Sequence, residues 1–307
     1  MSGGSQPVVA GFVGLGNMGW PMARNLAQAG MRVIVHDLDA SRSAAFAEQF
    51  GGEVAAEPRH FAPAGVVVTM LPDGRAVAAA ALDWGFASAL APGTVVVDMS
   101  SSSPIDTQAL GPRLAERGVA LVDAPVSGGV TRADSGTLTI MIGADDQDAV
   151  ERARPVLEVL GQRLFHTGPL GSGHAMKALN NYCGGAAYAT LAEALAIGQR
   201  FGLRGEVMLD VINTSTGRSF NSEVVFKDEV VPGRYGTGFA LALLAKDVSI
   251  AASLAAASGI EAPVCELVSE RWASALAALP AGADHSEAHK GWWDVVLATS
   301  AAETDAA

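Results

Sequence analysis

Residues 8–20 read VVAGFVGLGNMGW, an apolar, β-rich run that passes directly into a glycine-rich turn. The turn, Gly14-Leu15-Gly16-Asn17-Met18-Gly19, has the spacing GxGxxG. Each glycine has its own task in a strand–turn–helix connection. Gly14 permits the tight turn, Gly16 lets the backbone approach a pyrophosphate, and Gly19 lets the helix pack against the strand. The phosphates then sit at the positive end of that helix. By itself the spacing is a weak signal; the strand before it and the helical segment after it, at the start of the chain, supply the context it needs.

Outward from this stretch, β-rich runs alternate with helical segments as far as about His166. The runs are VVAGFVG, RVIVHD, GVVVTML, GTVVVDMS, ALVDAPVSG, LTIMIG and RLFHTG. Their apolar character is continuous rather than alternating, which marks strands covered on both faces, as in a parallel sheet flanked by helices. The expected fold is an α/β Rossmann-type doubly wound domain over residues 7–168. After HTGPLGSG the strands stop and Ala/Leu-rich helical patterns follow, so residues 169–300 are expected to form an all-α domain. Its first helix should run from about His174 to Phe201. Gly184 and Gly185 weaken the middle of that helix, and close packing against another helix would explain them. The final TSAAETDAA is small and polar and is expected to fray.

The second apolar run ends in VIVHDLD, which places Asp37 near the position, roughly 20 residues past the glycines, where an acid binds the adenosine ribose. A carboxylate there accepts bonds from the ribose hydroxyls and repels a 2′-phosphate, favouring NAD over NADP. Arg42, a few residues on, argues the other way, because an arginine can hold that phosphate; Asp37 could also be a turn or cap residue. Two later strand ends, TMLPDG and VDMSSSSP, belong at the same edge of the sheet. They make Leu71, Pro72 and Ser101 candidates for the nicotinamide side.

Composition narrows the field. The 307-residue chain is half hydrophobic, carries a formal net charge of −12, and shows no basic stripe with interleaved aromatics, so nucleic acid is not an expected partner. No apolar run is long enough for a membrane span, and MSGGSQP lacks the features of a signal peptide, so a cytoplasmic location is expected. Cys183 and Cys265 lie in apolar helix-like segments and are expected to be packed thiols, not a disulfide or metal ligands.

Three further stretches carry polar groups in apolar company: DAPVSGG (Asp123–Gly129), GSGHAMKALNN (residues 171–181) and LLAKDVSIAA around Lys246. With GFVGLGNMGWPMARNLAQAG, and in this order, they resemble the β-hydroxyacid dehydrogenase family, the group that includes 3-hydroxyisobutyrate dehydrogenase and tartronate semialdehyde reductase. The resemblance spans nearly the whole chain. It implies hydride transfer between NAD and a small 3-hydroxy acid or its semialdehyde, and a homodimer or homotetramer. It also implies that Lys177 is the catalytic acid/base, that Asn181 holds the substrate, that Ser127, Gly128 and Gly129 bind the substrate carboxylate, and that Lys246 lies by cofactor and substrate.

The residues themselves agree with those roles. Lys177 and Asn181 would share one helix face. The glycines of SGG expose backbone N–H groups in a concavity suited to a carboxylate. A second cation at Lys246 would favour the neutral amine needed to take a proton. The bland alternatives are a solvated lysine, a flexible SGG turn and a surface Lys246–Asp247 pair. Two functional rivals stand beside the dehydrogenase: an imine reductase-like enzyme, a group that typically replaces this lysine, and a non-catalytic NAD-binding protein of the same fold.

Arg218, in INTSTGRSF, could meet an acidic group of the substrate or form a surface ion pair. His285 and His289 have i, i+4 spacing but no third ligand, so they are expected to be surface or interface histidines and no metal is inferred. ADDQD (144–148) reads as an acid-rich helix start. Trp292 and Trp293 are expected to pack a terminal helix.

Overall fold

The computed structural model describes residues 8–293. The chain forms two compact units that divide between Lys177 and Ala178. The first contains β1 (Val9–Val13), α1 (Gly19–Gln28), β2 (Arg32–His36), α2 (Ala40–Phe50), β3 (Glu53–Val54), β4 (Val66–Thr69), the short α3 (Gly74–Ala78) and α4 (Phe86–Ala89), and β5 (Val95–Asp98). It continues through α5 (Pro104–Ala115), β6 (Ala120–Asp123), β7 (Val126–Ser127), α6 (Gly129–Ser135), β8 (Leu138–Gly143), α7 (Gln147–Leu160) and β9 (Gly161–Gly168). One sheet runs in the order β3-β2-β1-β4-β5-β6-β8-β7, with β9 paired to β8.

The continuous apolar runs are explained by two cores, one on each face of the sheet. Val33 and Val35, Val66 and Val68, and Val95 and Val97 enter one core, whereas Ile34, Val67 and Val96 enter the other. Side chains alternate along a strand, so a strand buried on both faces has no polar positions to show. This is the doubly wound Rossmann-type arrangement.

The sheet departs from the expected parallel form at one edge. The six strands β1 to β6 are parallel, but β8 runs antiparallel to both β6 and β7. The connection from Ser127 to Leu138 contains only the short α6, too little for a crossover that returns the chain in the same direction. The run ALVDAPVSG is likewise two strands, parted at Ala124 and Pro125; a proline has no N–H to give a ladder. The acid-rich 144–148 segment is the helix start expected, with Asp146 accepting the Asp148 N–H as the cap of α7.

Helix α8 (Ser172–Phe201) begins in the first unit and continues into the second. The second unit adds α9 (Gly205–Asn213), a π-helical segment (Asn221–Val230), α10 (Leu241–Ala257), α11 (Pro263–Ala278) and a 3-10 segment (His285–Gly291). Its core is built around Tyr188, which lies 4.8 Å from Phe226 and 5.3 Å from Trp272 between ring centroids. Gly185 lets Trp272 approach α8: the indole Nε1 donates to Gly185 O at 3.2 Å, and a Cβ on Gly185 would lie 2.9 Å from that nitrogen. Gly184 faces open space, so close packing explains only one of the two glycines.

Three expectations change here. His285 and His289 are 8% and 1% exposed, not surface residues; His289 Nδ1 meets the Tyr188 hydroxyl at 3.1 Å. Cys265 is buried but Cys183 is exposed, because Cys183 falls on the outer face of α8. Trp292 caps the end of the 3-10 segment rather than lying on a long terminal helix, and donates to Arg271 O at 2.6 Å while packing on Trp272. TSAAETDAA lies outside the described residues. No helix among the described residues is long and apolar enough to cross a membrane.

Candidate active site

The glycines of the first turn differ in what surrounds them. Gly14, at φ +99°, is closed in by Met70 O, and Gly19 by Gly14 O, so neither has room for a side chain. Gly16 has nothing within 4 Å of where a Cβ would stand. Helix α1 starts without a side-chain cap and with no acid in its first turn. An open backbone beside an uncapped helix N-terminus suits a pyrophosphate, so the residues present fit a dinucleotide. Leu15 is buried, Met18 packs against the core, and Asn17 is exposed.

Asp37 closes the other side of this loop. One carboxylate oxygen accepts the Leu15 N–H at 2.6 Å and the other the Asp39 N–H at 2.9 Å. Arg42 turns back onto the loop as well, donating to Leu15 O at 3.2 Å and lying 3.7 Å from Asp39. Leu71 lies against Gly14, and its N–H is held by Ser100 Oγ at 2.9 Å. Pro72 is exposed in the loop that follows β4, and Ser101 is half-buried in the loop that follows β5.

At the ends of β5 and β6 lies a buried polar cluster not anticipated from sequence. Asp98 accepts from Thr69 Oγ1 at 2.9 Å, Ser102 Oγ at 2.7 Å and the Ser100 N–H at 3.0 Å. Asp123 accepts the Gly171 N–H at 2.7 Å and the His174 N–H at 2.8 Å, so its carboxylate caps the start of α8. The His174 ring lies between the two acids: Nδ1 meets Thr107 Oγ1 at 2.8 Å and Nε2 meets Ser100 O at 3.1 Å. Burial pushes the Asp123 carboxyl above its usual range, against the pull of His174 and of the two amides. The available signal was that VVVDMS and ALVDAP both end apolar strands in an aspartate.

Gly128 and Gly129 adopt φ of +136° and +63°, which turn the chain sharply between β7 and α6; Gly129 has open space around it and Ser127 is half-buried. Lys177 is half-buried on α8, one turn past His174. Asn181 follows on the same helix face one turn later. In the second unit, Asn181 Nδ2 donates to Asp247 Oδ2 at 2.6 Å, and Lys246 Nζ lies 3.5 Å from Asp247 Oδ1. Asp247 is 1% exposed, so the Lys246–Asp247 pair is not a surface patch: the acid joins two candidate residues. Arg218 pairs with Glu223 at 3.6 Å, with its side chain 64% exposed. Among the described residues no group of His, Cys, Asp or Glu could hold a metal ion.

Comparison with known proteins accounts for both units. Residues 9–168 match the NAD binding domain of 6-phosphogluconate dehydrogenase, and residues 171–292 match the NAD-binding family of NADP-dependent 3-hydroxyisobutyrate dehydrogenase. The chain is 38% identical to 2-(hydroxymethyl)glutarate dehydrogenase of Eubacterium barkeri, over 85% of its own length and 86% of the relative's. It is also 38% identical to the NAD-dependent L-serine dehydrogenase of Pseudomonas aeruginosa, over 83% and 88%. The solved 3-hydroxyisobutyrate dehydrogenase of Mycobacterium tuberculosis with L-serine superposes with a TM-score of 0.85 at 33% identity, covering 94% of this chain and 99% of that one. With two family matches in sequence and relatives that span it almost end to end, the chain belongs to the β-hydroxyacid dehydrogenase family, NAD(P)-dependent enzymes that act on a CH–OH group.

Proposed function

We propose that this enzyme oxidises a small 3-hydroxy acid of the type HO–CH2–CH(R)–COO⁻ to its semialdehyde, or reduces the semialdehyde, with Lys177 as the acid/base. The substrates named for the relatives, 2-(hydroxymethyl)glutarate, L-serine and 3-hydroxyisobutyrate, share this unit and differ in R. The observation that carries the reading is the mounting of Lys177. It sits half-buried one turn into a helix whose first amides are fixed by the buried Asp123 carboxylate.

The bound nicotinamide supplies the hydride acceptor. The protein's own groups do the rest. Backbone N–H groups of the Ser127–Gly129 turn, with Ser127 Oγ, hold the substrate carboxylate. Lys177, neutral before the step, takes the hydroxyl proton as the carbinol C–H is lost, and returns it in the reverse direction. Asn181 orients the substrate and is itself held by Asp247; Lys246 adds positive charge beside cofactor and substrate. Arg218, paired with Glu223, is left in reserve as a contact for substrate.

NAD is the proposed cofactor. A 2′-phosphate beside Asp37 would meet a carboxylate, and Arg42 is already engaged by Leu15 O and Asp39. We further propose a homodimer or homotetramer working in the cytoplasm, the free thiols Cys183 and Cys265 suiting a reducing compartment. The test is to follow reduction of NAD⁺ and NADP⁺ with a panel of 3-hydroxy acids, using wild type and Lys177→Ala. Turnover of at least one such acid, higher with NAD⁺, and loss of about 10²–10⁴-fold in kcat in the variant with NADH affinity unchanged, is expected. Near-normal kcat in Lys177→Ala would refute the assignment.

A further inference from the structure

We propose that a cavity beside the Ser127–Gly129 turn is a second anion subsite, and that the preferred substrate carries a second acidic group in its substituent R. The inference rests on the reading above for the placement of the first carboxylate. The cavity, of about 340 Å³ and open to solvent, lies within the first unit and is lined by Arg132, Thr137, Thr139, Gln162 and Arg163, of which Arg132, Gln162 and Arg163 are exposed. Two guanidinium groups and three neutral polar side chains share it, and no carboxylate does.

Its position follows from strand register. Ser127 pairs with Thr139, and Thr139 with Arg163, so the three side chains form a row on one face of the sheet. Their neighbours Val126, Ile140 and Leu164 take the opposite face and enter the core. The row is two strand spacings wide, about 10 Å, which brings Arg163 within reach of a substrate only a few carbons long. Arg132 approaches from α6, its side chain lying over the turn itself: a Cβ on Gly128 would stand 2.5 Å from Arg132 Cδ. Arg132 thus borders both the cavity and the turn proposed to hold the first carboxylate.

Arg132 and Arg163 are both exposed to solvent, which leaves their guanidinium groups open to a ligand. Among the described residues neither Arg132 nor Arg163 has an ion-pair partner. The nearby acids are committed elsewhere, Asp134 of α6 to Arg24 at 2.9 Å and Glu158 of α7 to Arg154 at 3.7 Å. In a chain with 32 acidic residues against 20 basic ones, two arginines around one cavity with no counter-charge mark a place for an anion from outside. Guanidinium is the group suited to planar, bidentate capture of a carboxylate.

The experiment compares kcat/KM for 2-(hydroxymethyl)glutarate and for 3-hydroxyisobutyrate in wild type, Arg132→Gln, Arg163→Gln and the double variant, with thermal melts to establish folding. The expected result is a wild-type preference for the dianion and a fall of at least tenfold in that ratio in the double variant, carried by KM. Glutarate should also inhibit competitively against the hydroxy acid in wild type and tenfold more weakly in the double variant. A ratio that stays within twofold, or glutarate inhibition that is non-competitive, overturns the subsite. If wild type oxidises neither acid, it is the hydroxy acid reading that fails; calorimetric glutarate binding, kept or lost in the double variant, then decides the subsite alone.

Discussion

Asp123 holds the backbone N–H of His174 at 2.8 Å, and that of Gly171 at 2.7 Å, from a fully buried carboxylate at the end of β6. This single residue fixes both the direction and the register of the first turn of α8, and with it the height of Lys177. Asp123→Ala would leave two buried N–H groups without acceptors, at about 1–3 kcal/mol each. Chemical denaturation should show the loss, and kcat should fall with it. Asp123→Asn keeps an acceptor in place and should recover most of the stability. The sign of its pH dependence is also set. A carboxyl whose folded-state pKa is raised binds more protons folded than unfolded. Its contribution is therefore fullest at low pH and declines as pH rises through the shifted value. The stability difference between wild type and Asp123→Asn should narrow or change sign in that direction.

The three glycines of the first turn should fail in different ways. Gly14→Ala and Gly19→Ala force a side chain into Met70 O and Gly14 O respectively, so both should lower the melting temperature or prevent folding. Gly16→Ala meets nothing within the protein. It should fold and melt like wild type while binding NADH at least tenfold more weakly, because the methyl occupies the approach of the pyrophosphate. Fluorescence titration of NADH beside a melting curve separates the two classes. Equal damage in both assays for Gly16→Ala would argue against the cofactor placement.

How far the sequence carries depends on whether a feature is local. The β1–turn–α1 unit is written in consecutive residues, and the two-faced burial of β2, β4 and β5 is written in unbroken runs of valine and isoleucine, so both are legible. The reversal between β7 and β8 turns on the length of one short helix, which apolar patterning does not report. Asp98, Asp123 and His174 come from β5, β6 and α8, and only the assembled sheet brings them together. Asp247 shows the same limit. A lysine–aspartate pair in LLAKDVS looks solvated until α10 is laid against α8, where the acid becomes the acceptor for Asn181. His285 and His289 looked peripheral because nothing nearby in sequence announces Tyr188 or Thr237 as their neighbours.

Asp247 is expected to act through Asn181. Asp247→Ala removes a hydrogen bond to a charged, buried acceptor, an interaction of about 1.5–3 kcal/mol. If Asn181 orients the hydroxy acid, KM for that acid should rise by roughly 10–100-fold while KM for NAD⁺ changes little. Asp247→Asn, which keeps an acceptor oxygen, should restore part of the effect. A fall in stability with both KM values unchanged would make the pair structural only.

Asp37 should govern the choice between cofactors. Replacing it with serine removes the negative charge at the proposed ribose position and frees the Leu15 N–H. The ratio of kcat/KM for NADP⁺ to that for NAD⁺ should rise by about tenfold or more. Adding Arg42→Ala to Asp37→Ser should reverse part of that gain, since Arg42 is the cation within reach of the same loop. An unchanged ratio in Asp37→Ser would remove the residue from the ribose site.

Acid should weaken the second unit through His289. Burial and the neighbouring Lys290 push its pKa from 6.5 down to about 4. The Tyr188 hydroxyl donates to Ser286 O at 2.7 Å, so His289 Nδ1 is left to donate to the hydroxyl, and its buried Nε2 has no partner among the described residues. A proton added at Nε2 would have no acceptor there. The unfolded chain takes up that proton near pH 6.5 and the folded chain only near pH 4, so the stabilisation is complete above pH 6.5 and is lost as pH falls through that window. The shift corresponds to about 3 kcal/mol, shared in part with His285, which burial also depresses. Denaturation curves between pH 7 and pH 4 should show the decline, and His289→Gln, which cannot titrate, should flatten it. A wild-type stability that stays level across this range would mean that Tyr188 and the 3-10 turn accommodate the charged ring.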